Sequence, residues 1–374
     1  MSATRTAARA DFNTALNGYR GVCALLVFVF HCGSAGVVPW PSGSPLAASG
    51  YWLWSACKYG VEMFFMISGF VILGSLLRHA SLKGFLQDRF VRIFSAWGPT
   101  LVVVTVVCLL LRMRVFADAT ALQAAGIFIA NLLLLPPIVP IPMIHLVSWS
   151  LSYEWVFYLT AALALLLMRR QPRPAWAMPL WVLLAALFIC LFPRALFFVT
   201  GVLVFKYRDW FTARRAWLRW PLVSLLVFLV AWRFTDVEAA HLTRTVLDFI
   251  NDGSWLAALI AFVAALHMFA AICLNASRQT AWLNGPTFQF LGAISYSFYL
   301  WHSLVMSFSK RLVNAYVIPE FGVAAGFTIF VLGSLAIAVP LSWLSWRMLE
   351  VHFAAVLRRR FVRKPVMAGA VGVH

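Results

Sequence analysis

Four groups of ionisable residues lie within or at the ends of long apolar stretches, where charge is costly and signals either function or a structural partner. In RGVCALLVFVFH, Arg20 and His31 are separated by apolar residues only. A helix rises about 1.5 Å per residue, so the imidazole lies roughly 16 Å deeper than the guanidinium. It acts as a base there if substrate or water reaches it, or else it only holds a neighbouring helix by a hydrogen bond. Glu154 in WSLSYEWVFYL (149–159) is expected at a similar depth. A carboxylate beside a histidine orients the ring, fixes its tautomer and stabilises the imidazolium; an acid near a helix start also simply suits the dipole. In YGVEMFFMISGFVI (59–72), Glu62 starts the stretch and Ser68 and Gly69 interrupt its bulky residues. Small residues let helices approach closely or leave room for a ligand chain. In DRFVRIF (88–94), Arg89 and Arg92 share one helix face, a pairing of guanidinium forks that suits phosphates. Arg20 completes an anion site with them, although plain anchoring at a membrane surface explains such arginines too.

The elements that must position these groups are membrane spans. The chain has 374 residues, 63% hydrophobic and 11% charged, with a mean hydropathy of +0.87. Soluble domains carry about a quarter charged residues. Apolar runs long enough to cross about 30 Å of hydrocarbon follow one another from residue 20 to 345,. The expected spans are 20–38, 59–77, 94–111, 149–168, 176–192, 195–206, 217–232, 254–275, 288–308 and 321–345. The fold class is therefore all-α, a polytopic bundle of about ten transmembrane helices. The net charge of +18 sits in short connections, which argues against a nucleic-acid face and follows the positive-inside rule. Arg5 and Arg9, then 78–92, 169–173, 206–215 and 358–364, all fall on one side when both termini are cytoplasmic. Arg112 and Arg114 are the main exception.

The segment 124–148 is apolar but carries Pro136, Pro137, Pro140 and Pro142, which end helices. It is expected to form an outer re-entrant or interfacial hairpin covering a cavity. The loops 39–58 and 233–253 are expected to recognise an acceptor. The six cysteines include no CxxC, and a Cys32–Cys57 pair is left open. No metal site is expected. Residues 1–19 read as a cytoplasmic tail, 20–350 as one transmembrane domain and 351–374 as a basic cytoplasmic tail.

Together these positions describe a route, with phosphates held at the arginines and a long arm reaching towards His31 and Glu154. Coenzyme A has that shape. In order, RGVCALLVFVFH, GVEMFFMISGF, RFVRI, WSLSYEWVFYL, FVTGVLVFK, LGAISYSFYLWH and SWRMLEVHF resemble the bacterial membrane acyltransferases of the acyltransferase-3 type over nearly the whole chain. The resemblance implies a bundle that uses cytoplasmic acyl-CoA to acylate carbohydrates in the bacterial inner membrane. It implies His31 as the catalytic histidine, Arg20, Arg89 and Arg92 as acyl-CoA-binding residues, and Glu154 as the acid of the WSLSxE tract. Glu62, Ser68 and His302 are expected to support the site or position the acceptor. Asn17 stands where an acid is usual, and Glu62 where an aspartate is common. The chain reads as a member without a fused soluble domain.

The expected activity is O-acyl transfer, of acetyl above all, to a hydroxyl of a surface glycan or lipid-linked saccharide. Acyl-CoA is a co-substrate, with no permanently bound cofactor; membrane lipids are partners and nucleic acid is not. His31, assisted by Glu154, deprotonates the acceptor, or first carries the acyl group itself. The other readings are a transporter of acyl groups or sugars, or a sensor using the same bundle; no internal repeat supports transport.

Overall fold

The computed structural model describes residues 13–37, 45–78, 81–111, 113, 115–170, 172, 174–235 and 244–361. Arg5, Arg9, Arg112, Arg114, parts of both expected acceptor loops and much of the basic C-terminal tail lie outside these residues. Among the described residues the chain is helical, without strands. Helices occupy every expected span position: α1 (Thr14–Ser34), then α2 (Pro45–Ala56), α3 (Gly60–Arg78), α4 (Leu82–Leu110), α5 (Ala121–Leu132), α6 (Ser148–Arg169), α7 (Ala177–Leu191), α8 (Leu196–Lys206), α9 (Arg208–Ala213), α10 (Pro221–Arg233), α11 (Val246–Asn251), α12 (Trp255–Cys273), α13 (Pro286–Leu312), α14 (Ile318–Ser345) and α15 (Ala354–Phe361).

Six helical runs are long and apolar enough to cross a membrane, or seven if α7 and α8 count as one span bent by 119°. Alone, the 11 residues of α8 and the 13 of α10 reach only about 16–20 Å, short of a 30 Å core. Apolarity locates these helices, whereas length decides whether each can span. The run from Pro286 to Phe361 is broken at Gly322, whose φ of +78° takes the backbone out of the helix. The chain then packs back on itself, so that the Ser345 hydroxyl lies 3.1 Å from the Ser297 oxygen and accepts from the Trp301 indole at 2.9 Å.

Local chemistry sets the helix ends. Asn13 caps α1 by accepting from Leu16 N–H at 3.0 Å, while its amide donates to the Cys273 carbonyl at 2.7 Å and ties that end to α12,. Thr120 and Gln123 form a reciprocal capping box at α5,. Beyond α5 the proline segment is a clamped loop. The Asn131 amide donates to the carbonyls of Ile127 and Pro142, and its oxygen accepts from Ile144 N–H. At 12 residues α5 reaches about 18 Å, so 124–148 is a short helix and return loop, not a span.

Two crossings need glycine because backbones touch. A Cβ on Gly292 of α13 would lie 2.0 Å from the Asn17 carbonyl oxygen of α1. One on Gly69 of α3 would lie 2.0 Å from the Phe198 oxygen of α8, and one on Gly201 equally close to Met66. Small residues bring helices together in lipid, where apolar burial alone provides little drive. Outward faces carry exposed large apolar side chains such as Leu110, Leu122 and Leu183, as a lipid-facing surface requires. All six thiols are free, including Cys32 and Cys57.

Candidate active site

The α1 helix carries chemistry at both ends of one face. Arg20 and His31 are eleven residues apart, about three turns, so they project on the same side roughly 16 Å from each other. Each lines a different cavity.

The first cavity, about 320 Å³, collects Arg20, Arg78, Arg89 and Arg92 with Glu154, Ser68, Tyr158, Tyr296 and Tyr299. Its arginines are only partly neutralised. Arg92 donates to Glu350 at 2.7 Å and lies 5.2 Å from the Tyr296 ring. Glu350 is nearly buried, and its other oxygen accepts from the Ser297 N–H at 3.1 Å and hydroxyl at 2.7 Å. Arg89 donates to Asp88 at 2.6 Å, yet its buried Nε has no partner among the described residues. Arg20 makes no hydrogen bond among the described residues, although Arg92, Glu350 and Glu154 all act on it electrostatically. Half-buried guanidinium groups such as those of Arg20 and Arg89, with donors to spare, are natural receptors of phosphate oxygens,.

Glu154 stands inside this cavity. Ser68 donates to its Oε1 at 2.6 Å, and Tyr158, one turn further along α6, donates to the same oxygen. The acid was expected beside His31, but it lines the arginine cavity and has no contact with the imidazole among the described residues. Similar depth along two helices does not make their side chains neighbours; which way α6 faces does, and it turns Glu154 towards α3 and α4.

The second cavity, about 360 Å³, is lined by His31 together with His145, Ser303, Lys310 and Arg311. His145 donates from Nε2 to the Leu300 carbonyl at 2.8 Å and stacks on Trp97. His302 sits behind His31, with ring centroids 5.2 Å apart. Its Nδ1 donates to the Phe298 carbonyl at 3.0 Å, so Nε2 is the bare, accepting nitrogen,. That Nε2 is buried and without a partner among the described residues. Tyr299 reaches from the first cavity to the His302 ring. It lines the first, lies 5.9 Å from the His302 ring and 6.1 Å from Phe64, and donates to the Val147 carbonyl at 3.0 Å.

Glu62 lines neither of these two cavities. It is fully buried and takes a bidentate pair from Arg194, at 2.5 and 2.9 Å, and the Trp232 indole at 3.0 Å. The break between α7 and α8 brings Arg194 inwards, over the Trp149 ring at 4.4 Å. Ser68 and Gly69 divide their work, the serine on Glu154 and the glycine in the α8 crossing. Asn17, in the usual place of an acid, donates to the Gln289 carbonyl at 3.0 Å and side chain at 3.1 Å and ties α1 to α13. In the expected acceptor loop, Arg244 pairs with Asp252. The N–H and hydroxyl of Thr245 hold the Asp248 carboxyl below its ordinary range. Sequence reading missed His145 and Glu350. The first was hidden among prolines, although an imidazole in an apolar segment is itself a signal; the second has its partner 258 residues away.

Among known proteins, the chain is 27% identical to Acyltransferase MdmB of Streptomyces mycarofaciens over 307 residues, 75% of each. It is 24% identical over 379 residues to proteins named "Putative O-acetyltransferase" in Staphylococcus aureus strains COL and MSSA476, covering 90% of this chain and 56% of theirs. The chain thus spans little more than half the length of those staphylococcal relatives. No solved structure matches it. Residues 13–347 match the acyltransferase-3 family, described as an acyltransferase domain, and the chain belongs to that family.

Proposed function

We propose that this protein is a multi-pass inner-membrane O-acyltransferase that moves an acyl group, acetyl above all, from cytoplasmic acyl-CoA to a carbohydrate hydroxyl. The observation that carries the reading is the pair of cavities joined by α1, one rich in under-paired arginines and the other holding His31. The arginine cavity opens to the cytoplasm in this reading, with both termini on that side. Arg20, Arg89 and Arg92 hold the donor's phosphates, and the pantetheine arm runs along the Arg20 face of α1 towards His31.

His31 takes the proton of the acceptor hydroxyl as its oxygen attacks the thioester carbonyl carbon. The C–S bond breaks, and the departing thiolate recovers the proton from the imidazolium. His302 Nε2 is suited to accept from a protonated His31 nitrogen and hold that ring. Glu154 serves the donor side, gathering Ser68 and Tyr158 into the wall along which the arm lies. It is a positioning residue in this reading, not the partner of the base.

The test is release of free coenzyme A from acetyl-CoA by the purified protein and by His31→Ala, with and without a glycan pool. His31-dependent release that rises with acceptor supports transfer. Uptake of intact substrate into proteoliposomes without thioester cleavage favours a transporter instead.

A further inference from the structure

We infer that the acceptor carries an anionic group, a carboxylate or a phosphate, seated on Lys310 and Arg311. This deepens the acyl-transfer reading and rests on it. Both cations line the cavity that holds His31, and no carboxylate lines it with them. Neither makes an ion pair or hydrogen bond among the described residues, in contrast to the first cavity, where Glu154, Glu350 and Asp88 offset the arginines.

The ordinary reasons for a Lys-Arg pair here account for only part of it. Cations favour the end of a helix because free carbonyls gather there; their own helical backbone continues past Leu312 through Val313–Val317 into Ile318, and the C-terminal end of α1 at Ser34–Gly36 lies beside the Lys310 ammonium alone. Membrane anchoring by the positive-inside rule does not fit. The two lie at the His31 end of the bundle, opposite the arginine cavity that the proposed orientation turns to the cytoplasm. Arg311 is exposed and Lys310 half-buried, so an incoming group meets one before the other. The Ser303 side chain beside them adds a neutral partner for a sugar hydroxyl. Two uncompensated cations near the attacking base would hold an anionic saccharide with one hydroxyl turned to His31 and exclude most neutral ones.

The test uses the full chain in phosphatidylcholine nanodiscs with radiolabelled acetyl-CoA and three acceptors: a neutral gluco-oligosaccharide, the same oligosaccharide ending in glucuronate, and a polyprenyl-diphosphate glucose. At least one anionic acceptor should be acetylated with a kcat/KM at least about tenfold above the neutral one. Whichever anionic arm responds tells a sugar carboxylate from a carrier diphosphate. Lys310→Gln and Arg311→Gln should each remove most of that preference through the acceptor KM, leaving the KM for acetyl-CoA unchanged. Equal use of the neutral acceptor, or unchanged preference in the double variant, overturns the inference while acyl transfer stands. His31-dependent acetyl-CoA cleavage with none of the three acceptors labelled overturns it as well. Absence of any acetyl-CoA cleavage overturns the acyl-transfer reading beneath it.

Discussion

His302 presents an unpartnered, buried Nε2 behind His31, with the two rings 5.2 Å apart. In the proposed mechanism the residue that steadies the base is thus a second imidazole on α13, not a carboxylate on α6. A His302→Leu variant should fold, because the ring is packed against Phe28, Phe298 and Tyr299. Its kcat for acyl transfer should fall about a hundredfold, within the range for a disturbed acid–base group, with little change in the KM for acyl-CoA. His302→Gln, which keeps an accepting atom, should recover part of the loss. A kcat within twofold of the parent for His302→Leu would make the histidine a packing residue.

The donor arginines should show the opposite kinetic pattern. Arg20→Ala removes a guanidinium that makes no hydrogen bond among the described residues, so folding loses little and donor binding loses much. The KM for acyl-CoA should rise tenfold to a hundredfold or so, the range for losing a charge-assisted hydrogen bond, with kcat less affected. Arg89→Lys keeps charge without the fork and should fall between the two. Titration calorimetry with coenzyme A alone checks the same effect without turnover.

Glu62 separates stability from activity. Glu62→Gln leaves Arg194 buried without its counter-charge, a change that costs about 3–5 kcal/mol in comparable buried pairs. Thermal unfolding in detergent should drop markedly. The protein that remains folded should keep its KM for acyl-CoA, because Glu62 lines neither cavity. An unchanged melting temperature with lost activity would return Glu62 to the functional set.

A matched glycine pair tests the close crossings. Gly69→Ala forces α3 away from the Phe198 backbone and should destabilise by about 1–3 kcal/mol or more. Gly333→Ala, in α14 with open space around it, should be neutral or gain up to about 1 kcal/mol from helix propensity. Melting curves of both variants decide it.

Helix positions were legible in the sequence because a run of apolar residues has few other ways to satisfy its backbone in lipid. Whether each helix crosses was less so, since α8 and α10 are apolar enough but too short. Arg89 and Arg92 share a face as their spacing implied, Arg20 lines the same cavity, and His31 lies on the Arg20 face of α1. The Tyr158–Glu154 contact is a one-turn spacing on α6 and was there to be read,. The Ser68–Glu154 contact and the Arg92–Glu350 pair were not, because they depend on how each helix is rotated against its neighbour. Apolar composition all round a membrane helix erases the amphipathic stripe that would reveal that rotation.

The single helix that carries both Arg20 and His31 fixes the separation of the two sites as a rigid scale. A one-residue insertion between them would swing the imidazole by about 100°, off the shared face, and only whole-turn steps of about 5.4 Å would return it. In the proposed mechanism the distance from phosphate anchor to base therefore changes only in coarse increments. Donors that share one arm bring their thioester to the same height, and a longer acyl chain must extend beyond it. In the proposed mechanism, selection among acyl lengths thus falls to the space around His31, and the arginine cavity has no part in it.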